Sequence, residues 1–392
     1  MKLAIVVDTF PRWSERFIAR EVAELRRRGV DLTVFCLNAG RLAAENDPDW
    51  TGLLEERVVL PSCLAPRSLR MHSADPEMQG RLDAVKAELG LPFLFKISCV
   101  AALRDLLRDS FQHVHAHFAN LPSTLAWLSA TAEKIPFSMS VHARDLFVEP
   151  QLLGQKLADA TRVFTCHDRG YKHLAKTVAH AGKVVLMRHG LPLEHFPFTQ
   201  HSAPKKGEAV RLLAAGRFVP KKGFDELLEA VAAPGLAGKG FELTHLGDGP
   251  GRKKLASQIK RRKLEKQILI QPPAGGAELQ ELFNRADAFL APYQETPEGD
   301  SDGVPNVVLE AFALGLPVIG TDAGGVKEVL TPETGSVVPA GNAEALATAV
   351  GDYLNDSAAA LARTPAARAL VEREYDIRRN ILPLLELVGI AP

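Results

Sequence analysis

Residues 298–325 read EGDSDGVPNVVLEAFALGLPVIGTDAGG. A polar, acidic loop, Glu298 to Gly303, runs into Pro305-Asn306, and an apolar helical pattern begins at Val307-Val308. Pro305 suits a helix entrance, because its missing N–H is one of the first-turn donors that no carbonyl of the helix satisfies. Leu309, Phe312 and Ala313 then share one side, Gly315-Leu316-Pro317 ends the helix, and PVIGT starts a short buried strand. The free N–H groups and the dipole of such an entrance favour an anion. Asp302 and Glu310 bracket it, with seven residues between them. Carboxylates repel a phosphate, so hydroxyls are their natural partners. The stretch asks for a ligand with a diphosphate in its middle and hydroxyls at both ends, a description that fits a nucleotide sugar.

Strand patterns lead up to this stretch. VRLLAAG (Val210 to Gly216) is followed by the loop RFVPKKG and a helix whose apolar side carries Leu227, Leu228 and Val231. Arg217 and Lys222 thus share one loop at a strand's carboxyl end. A bidentate guanidinium with a point ammonium suits a diphosphate whose charge grows as it leaves. FELTHLGDGPGRKKL (Phe241 to Leu255) gives strand, turn and helix, and Gly247 and Gly249 let a ligand approach the backbone. ILIQPP (Ile268 to Pro273) is the next strand, and the base is expected at its trailing loop. ADAFLAPY (Ala286 to Tyr293) enters the quoted stretch, and GSVVPAGNAEAL (Gly335 to Leu346) supplies a last strand, turn and helix. Donor contacts are expected at Gly216, Gly247, Pro272, Gly303, Asn306, Val307 and Val308.

The amino-terminal half repeats the alternation. LAIVVD (Leu3 to Asp8) reads as a buried parallel strand, Ser14 as an N-cap, and Ile18, Val22 and Leu25 as a helix stripe that Gly29 stops. DLTVFCL (Asp31 to Leu37) follows as the second strand. Ligands of such a sheet sit at the carboxyl ends of its strands, where the loop Thr9 to Glu15 lies. It holds no GxGxxG, so dinucleotide binding is not indicated. Helical patterns cover Gln79 to Leu89 and Phe93 to Leu107, and HVHAHF places His113, His115 and His117 on one face of a strand. Alternate histidines are metal-ligand spacing, but no carboxylate lies near them in sequence, so no metal is assigned. FSMSVHARD (Phe137 to Asp145) is a strand with His142 at its carboxyl tip. There it hydrogen-bonds a sugar or a phosphate, or serves structure alone. RVFTC (Arg162 to Cys166) and KVVLMRHG (Lys183 to Gly190) complete the sheet around a helix from about Asp168 to His180.

These motifs together resemble the family 4 retaining glycosyltransferases, most specifically from Val210 onward. That family's donor signature is Glu, seven residues, Glu; here Asp302 stands at the first position and Glu310 keeps the second. The resemblance implies an α/β GT-B fold, two Rossmann-like domains facing across a cleft. It also implies roles: Arg217 and Lys222 on the donor pyrophosphate, Glu310 on the ribose, Asp302 on the sugar, and His142 at the reacting end. FPRWSERFI resembles the family's acceptor-side loop, so Trp13, Ser14 and Arg16 become acceptor-side candidates, beside the plain reading as surface residues. The expected boundaries are 1–195 for the acceptor domain, 196–209 for a linker rich in Pro, Ser and Lys, and 210–375 for the donor domain. Residues 376–392 would be a helix, about Ile377 to Val388, kinked at Pro383 and packed back on the first domain.

The whole-chain properties set the limits. At 392 residues, two cores are comfortable. Forty-seven basic and 47 acidic side chains balance, so no global field suggests a nucleic acid partner. Cys36, Cys63, Cys99 and Cys166 show no CxxC spacing, and three fall in apolar runs, reading as buried thiols of a reducing compartment. No apolar run approaches the roughly 20 residues of a membrane span, so a cytoplasmic protein is expected. The basic run Arg252–Lys254 and Lys260–Lys263 is a solvated face, or else draws the chain to an anionic membrane or a lipid-linked acceptor. The expected activity is transfer of a hexose from a UDP- or GDP-linked donor to a hydroxyl of a carbohydrate or lipid-linked acceptor in envelope polysaccharide, exopolysaccharide or glycolipid synthesis. No cofactor is expected, although Asp300-Ser301-Asp302 spells a DxD, because Arg217 and Lys222 supply the positive charge. A nucleotide-sugar epimerase of the same fold and a non-catalytic binding protein are the rival readings.

Overall fold

The structure of the protein, a computed structural model, describes residues 1–40, 52–54, 57–61, 75–90, 93, 96–177, 181–205 and 207–390. Cys63, parts of the Phe93–Leu107 helix reading and the end of the Asp168–His180 reading lie outside them. The described residues form two compact units. The first runs to Arg188 and takes in the chain again from Ile381; the second is His189–Asn380.

The first unit is built on a seven-stranded parallel sheet in the order β3-β2-β1-β4-β5-β6-β7. Its strands are β1 (Lys2–Phe10), β2 (Asp31–Ala39), β3 (Arg57–Val59), β4 (His113–His117), β5 (Phe137–Val141), β6 (Arg162–Thr165) and β7 (Val184–Leu186). β1 is apolar without a break because helices cover both faces. Leu3, Ile5 and Val7 enter one core with Ile18, Val22 and Leu25 of the helix Arg16–Arg27. Ala4 and Val6 enter the other with Leu82, Leu103 and Trp127. Gly29, at φ +83°, follows that first helix, as its position at the end of the stripe predicts. The Ser14 expectation is corrected: Trp13–Glu15 is a 3₁₀ turn, the helix begins at Arg16, and its N-cap residue is Glu15, whose side chain makes no capping bond to the helix and accepts from Arg12 instead.

The carboxyl-terminal segment is also corrected. In place of one kinked helix there are two short ones, Ile377–Asn380 and Leu382–Leu387. Pro383 sits in the first turn of the second, where its missing N–H costs nothing, so it starts a helix. Ile381, Leu384, Leu385 and Val388 are buried in the same core as Leu3, Ile5 and Val7.

The second unit has a six-stranded parallel sheet ordered β10-β9-β8-β11-β12-β13. These strands are β8 (Val210–Ala215), β9 (Phe241–Leu246), β10 (Ile268–Gln271), β11 (Ala288–Ala291), β12 (Val318–Thr321) and β13 (Ser336–Val338). Leu213 and Ala215 face one core, Leu212 and Ala214 the other. The helix Asn306–Leu314 has Pro305 as its N-cap residue and Gly315, at φ +80°, as its C-cap, and it is buried from Val308 to Leu314. Phe196–Thr199 belong to this unit too: the Phe196 carbonyl accepts from Arg368, and Thr199 N–H donates to the Leu314 carbonyl. Among the described residues no helix is long and apolar enough to cross a membrane.

Candidate functional site

In the second unit the chain builds the sheet outward from β8 in one direction as far as β10, then returns to place β11 on β8's other side. That reversal between β8 and β11 is the topological switch point, where loops at the strands' carboxyl ends part and leave room for a ligand. The loop after β8 carries Arg217, Lys221 and Lys222; the loop after β11 carries Tyr293, Asp300 and Asp302.

The two loops meet through charge. Lys222 Nζ lies 2.6 Å from Asp302 Oδ2, and Lys221 Nζ lies 3.3 Å from Asp302 Oδ1 and 3.0 Å from Asp300 Oδ1. The Lys222 ammonium also stands over the Tyr293 ring, 4.6 Å from its centroid, a cation–π distance. Burial pushes the Asp302 carboxyl up, but Lys222 and Lys221 together pull it further down, so it stays below the usual carboxylate value and ionised. Burial lowers Lys222 from the ordinary lysine value, and Asp302 offsets part of that. Burial, with Asp302 and Glu310 nearby, pushes the Tyr293 phenol well up, so it remains a neutral donor.

Glycines let these loops close in. Gly223 has φ +64°, and a Cβ there would lie 1.6 Å from the Pro292 carbonyl oxygen; that approach fastens the lysine loop to the end of β11. At Gly247, the end of β9, a Cβ would lie 1.9 Å from the Gly216 carbonyl oxygen. Behind the acidic loop, Gly325 N–H donates to the Asp302 carbonyl at 2.9 Å. Glu310 is 1% exposed, one turn into the helix Asn306–Leu314. The Tyr293 hydroxyl and Asn306 Oδ1 are buried with no hydrogen-bonding partner among the described residues.

The sequence reading placed Asp302, Gly303, Asn306–Val308 and Glu310 around one helix entrance and Lys222 in the loop after the strand Val210 to Gly216; the structure brings Lys222 onto Asp302. Arg217 differs: it is exposed and, among the described residues, makes no ion pair, so the two expected cations are not equivalent. Pro272, after β10, is exposed. Two participants were missed. Lys221 looks like any surface lysine until both carboxylates of the DSD are seen around it; Tyr293 looks like the end of a strand.

In the first unit, β1 and β4 flank the corresponding switch point. Trp13, Ser14 and Arg16 follow β1 and are half-buried. His142 follows β5, and its backbone N–H donates to Asp145 Oδ2 at 2.9 Å. The His142 ring lies against Phe118 and Phe17, with centroids 4.3 and 5.2 Å away. The three histidines of β4 are occupied within the fold. His115 bonds Ser138 Oγ at 2.8 Å and Ser140 Oγ at 3.0 Å, His113 bonds Ser138 Oγ at 2.8 Å, and His117 faces Glu21 at 3.5 Å. Burial takes His113 down to about 4 and His115 to about 3, so both are neutral. Glu21 was not anticipated, because one acidic residue beside a helix stripe reads as surface; it is 3% exposed, and burial raises its carboxyl. Past β4, Phe118 has φ +69°, and the buried Lys156 Nζ donates to the Ala119 carbonyl at 2.7 Å and Ser123 Oγ at 3.1 Å.

Residues 209–356 match the family model described as glycosyl transferases group 1. The amylovoran biosynthesis glycosyltransferase AmsK of Erwinia amylovora is 26% identical, over 96% of each chain. The chain is a GT-B glycosyltransferase. A GDP-mannose-dependent phosphatidylinositol monomannoside mannosyltransferase of Mycolicibacterium smegmatis is 32% identical to this transferase over 47% of its length. Among solved structures, Anabaena HepE in complex with UDP superposes with a TM-score of 0.71 at 16% identity, covering 99% of the transferase and 100% of HepE.

Proposed function

We propose that the protein is a retaining hexosyltransferase that uses a UDP- or GDP-linked sugar and a hydroxyl acceptor in the assembly of an envelope polysaccharide, exopolysaccharide or glycolipid. The observation that carries this reading is the Lys222–Asp302 pair at the β8/β11 switch point, beside a helix entrance and the buried Glu310. Lys222, joined by the exposed Arg217, binds the diphosphate and stabilises it as it leaves. The first amides of the helix, at Asn306 to Val308, have no carbonyl of their own turn and add to that field. Glu310 accepts from the ribose hydroxyls and Asp302 from the sugar. Gly216, Gly247, Gly303 and Pro272 supply close backbone approach and the base contact. His142 is the candidate for a hydrogen bond to the sugar or leaving phosphate, and Trp13, Ser14 and Arg16 are acceptor-side candidates. No carboxylate stands as an obvious nucleophile, which suits front-face transfer with retention. A divalent cation is not part of this reading, because Lys221 and Lys222 already neutralise the DSD carboxylates.

The polysaccharide assignment leans on the amylovoran relative, which aligns over nearly its whole length. We further propose a cytoplasmic location, with the basic helix Arg252–Arg261 as the candidate for membrane contact. The test is a panel of UDP and GDP sugars, followed by acceptor-dependent release of nucleoside diphosphate and assignment of the product's anomeric configuration. The expected result is release that stops in Lys222→Ala and Glu310→Ala and persists in EDTA. Altered sugar with nothing transferred would favour the epimerase, and binding without turnover would favour a binding protein.

A further inference from the structure

Asp302 is asked to accept from a sugar hydroxyl, yet in this state both of its oxygens face a lysine. Oδ2 holds Lys222 at 2.6 Å and Oδ1 faces Lys221 at 3.3 Å. Lys222 is likewise asked to bind a diphosphate, and its Nζ is already on a carboxylate. These are two halves of one fact. The side chains are 11–16% exposed, so the pair is out of bulk water and its charges are weakly screened. Lys221 is differently placed: it spans Asp300 and Asp302 and so ties down the acidic loop whether or not Lys222 stays.

We propose that Asp302 and Lys222 form a reversible latch, which the donor opens by taking Lys222 onto its diphosphate, leaving Asp302 held by Lys221 with Oδ2 released for the sugar. Lys221 is then a positioning residue: it touches no donor atom, and it keeps the Asp302 carboxylate ionised and in place after Lys222 has gone. The inference rests on the donor-site reading above. It has one consequence of unexpected sign. Removing the charge of the carboxylate assigned to the sugar should strengthen binding of a nucleoside diphosphate that carries no sugar, since Lys222 no longer has to leave a partner.

The experiment is calorimetric titration of UDP and of GDP into the full chain, as wild type, Asp302→Asn, Asp300→Asn and Lys222→Ala, with thermal unfolding as the check on folding. Asp300 pairs with Lys221 at 3.0 Å and, among the described residues, not with Lys222, so Asp300→Asn removes the same unit of charge nearby without touching the latch. Asp302→Asn is expected to bind the nucleoside diphosphate about tenfold more tightly than wild type, the scale of one charge-assisted hydrogen bond. Asp300→Asn should change it by less than about threefold on the same scale, and Lys222→Ala should lose it. Asp302→Asn binding no tighter than wild type overturns the latch and leaves the donor-site reading standing. Equal gains in Asp300→Asn and Asp302→Asn also overturn it, since general repulsion would then be the cause. No binding by wild type or any variant removes the donor-site reading itself, and the latch with it.

Discussion

Gly223→Ala should cripple donor binding although residue 223 contributes no side chain to the site. Two costs act there. The left-handed backbone, φ +64°, costs an alanine about 1–2 kcal/mol. The new Cβ would also stand 1.6 Å from the Pro292 carbonyl oxygen, where real contacts need roughly 3.4 Å. The lysine loop must therefore retreat from the end of β11 by well over 1 Å, and the 2.6 Å contact from Lys222 to Asp302 cannot survive that movement. Gly238 separates the terms: it has a similar φ, +75°, with nothing within 4 Å of its Cβ. Gly238→Ala should cost about 1–2 kcal/mol, and Gly223→Ala at least about 3 kcal/mol, with loss of nucleotide affinity only in the second. Denaturant unfolding and titration with UDP and GDP measure both. Equal stability losses in the two variants, or unchanged nucleotide binding in a folded Gly223→Ala, would refute the claim that this contact sets the lysine loop.

Two further predictions concern the first unit. Burial lowers the Lys156 ammonium to about 7, against about 10.4 in an unfolded chain. Between those values the unfolded state holds a proton that the folded state lacks, so stability rises with pH. The wild-type stability relative to Lys156→Met should therefore grow by up to about 1.4 kcal/mol per pH unit from pH 7 to 9, read by urea melts, and a flat difference would show that Lys156 titrates as an ordinary lysine. Leu384→Ala should cost the first unit about 2–5 kcal/mol, because its side chain is fully buried beside Leu3 and Ile5. Retained stability would mean that the segment after Ile381 is an accessory to that core.

Much of this was legible in the residues because parallel strands and their helices leave regular traces. LAIVVD and VRLLAAG are unbroken apolar runs because both faces of each strand are covered, and Gly315 and Gly29 mark helix ends through the φ they adopt. The family motifs single out Lys222, Asp302 and Glu310 from the residues alone. What escaped was decided by partners distant in sequence. Lys221 gains its place from Asp300, 79 residues away, and Glu21, on the helix Arg16–Arg27, faces a histidine of β4. Ser14 carried the chemistry of a cap, but a 3₁₀ turn shifted the helix start past it. Pro383 read as a kink because a continuous helix was assumed; the break at Ile381 turns it into a helix start.

That break bears on the order in which the protein is made. Residues 381–388 supply Ile381, Leu384, Leu385 and Val388 to the core around β1, the earliest of the described strands to be synthesised. The first unit therefore stays unfinished until the entire His189–Asn380 unit has been synthesised, whereas that second unit needs nothing made after Asn380. Translation runs from one end, yet the half begun last is the one able to complete its core first. Meanwhile the apolar flank of β1, Leu3, Ile5 and Val7, waits without its final cover, and it is there that a holding chaperone or premature association would act on the growing chain.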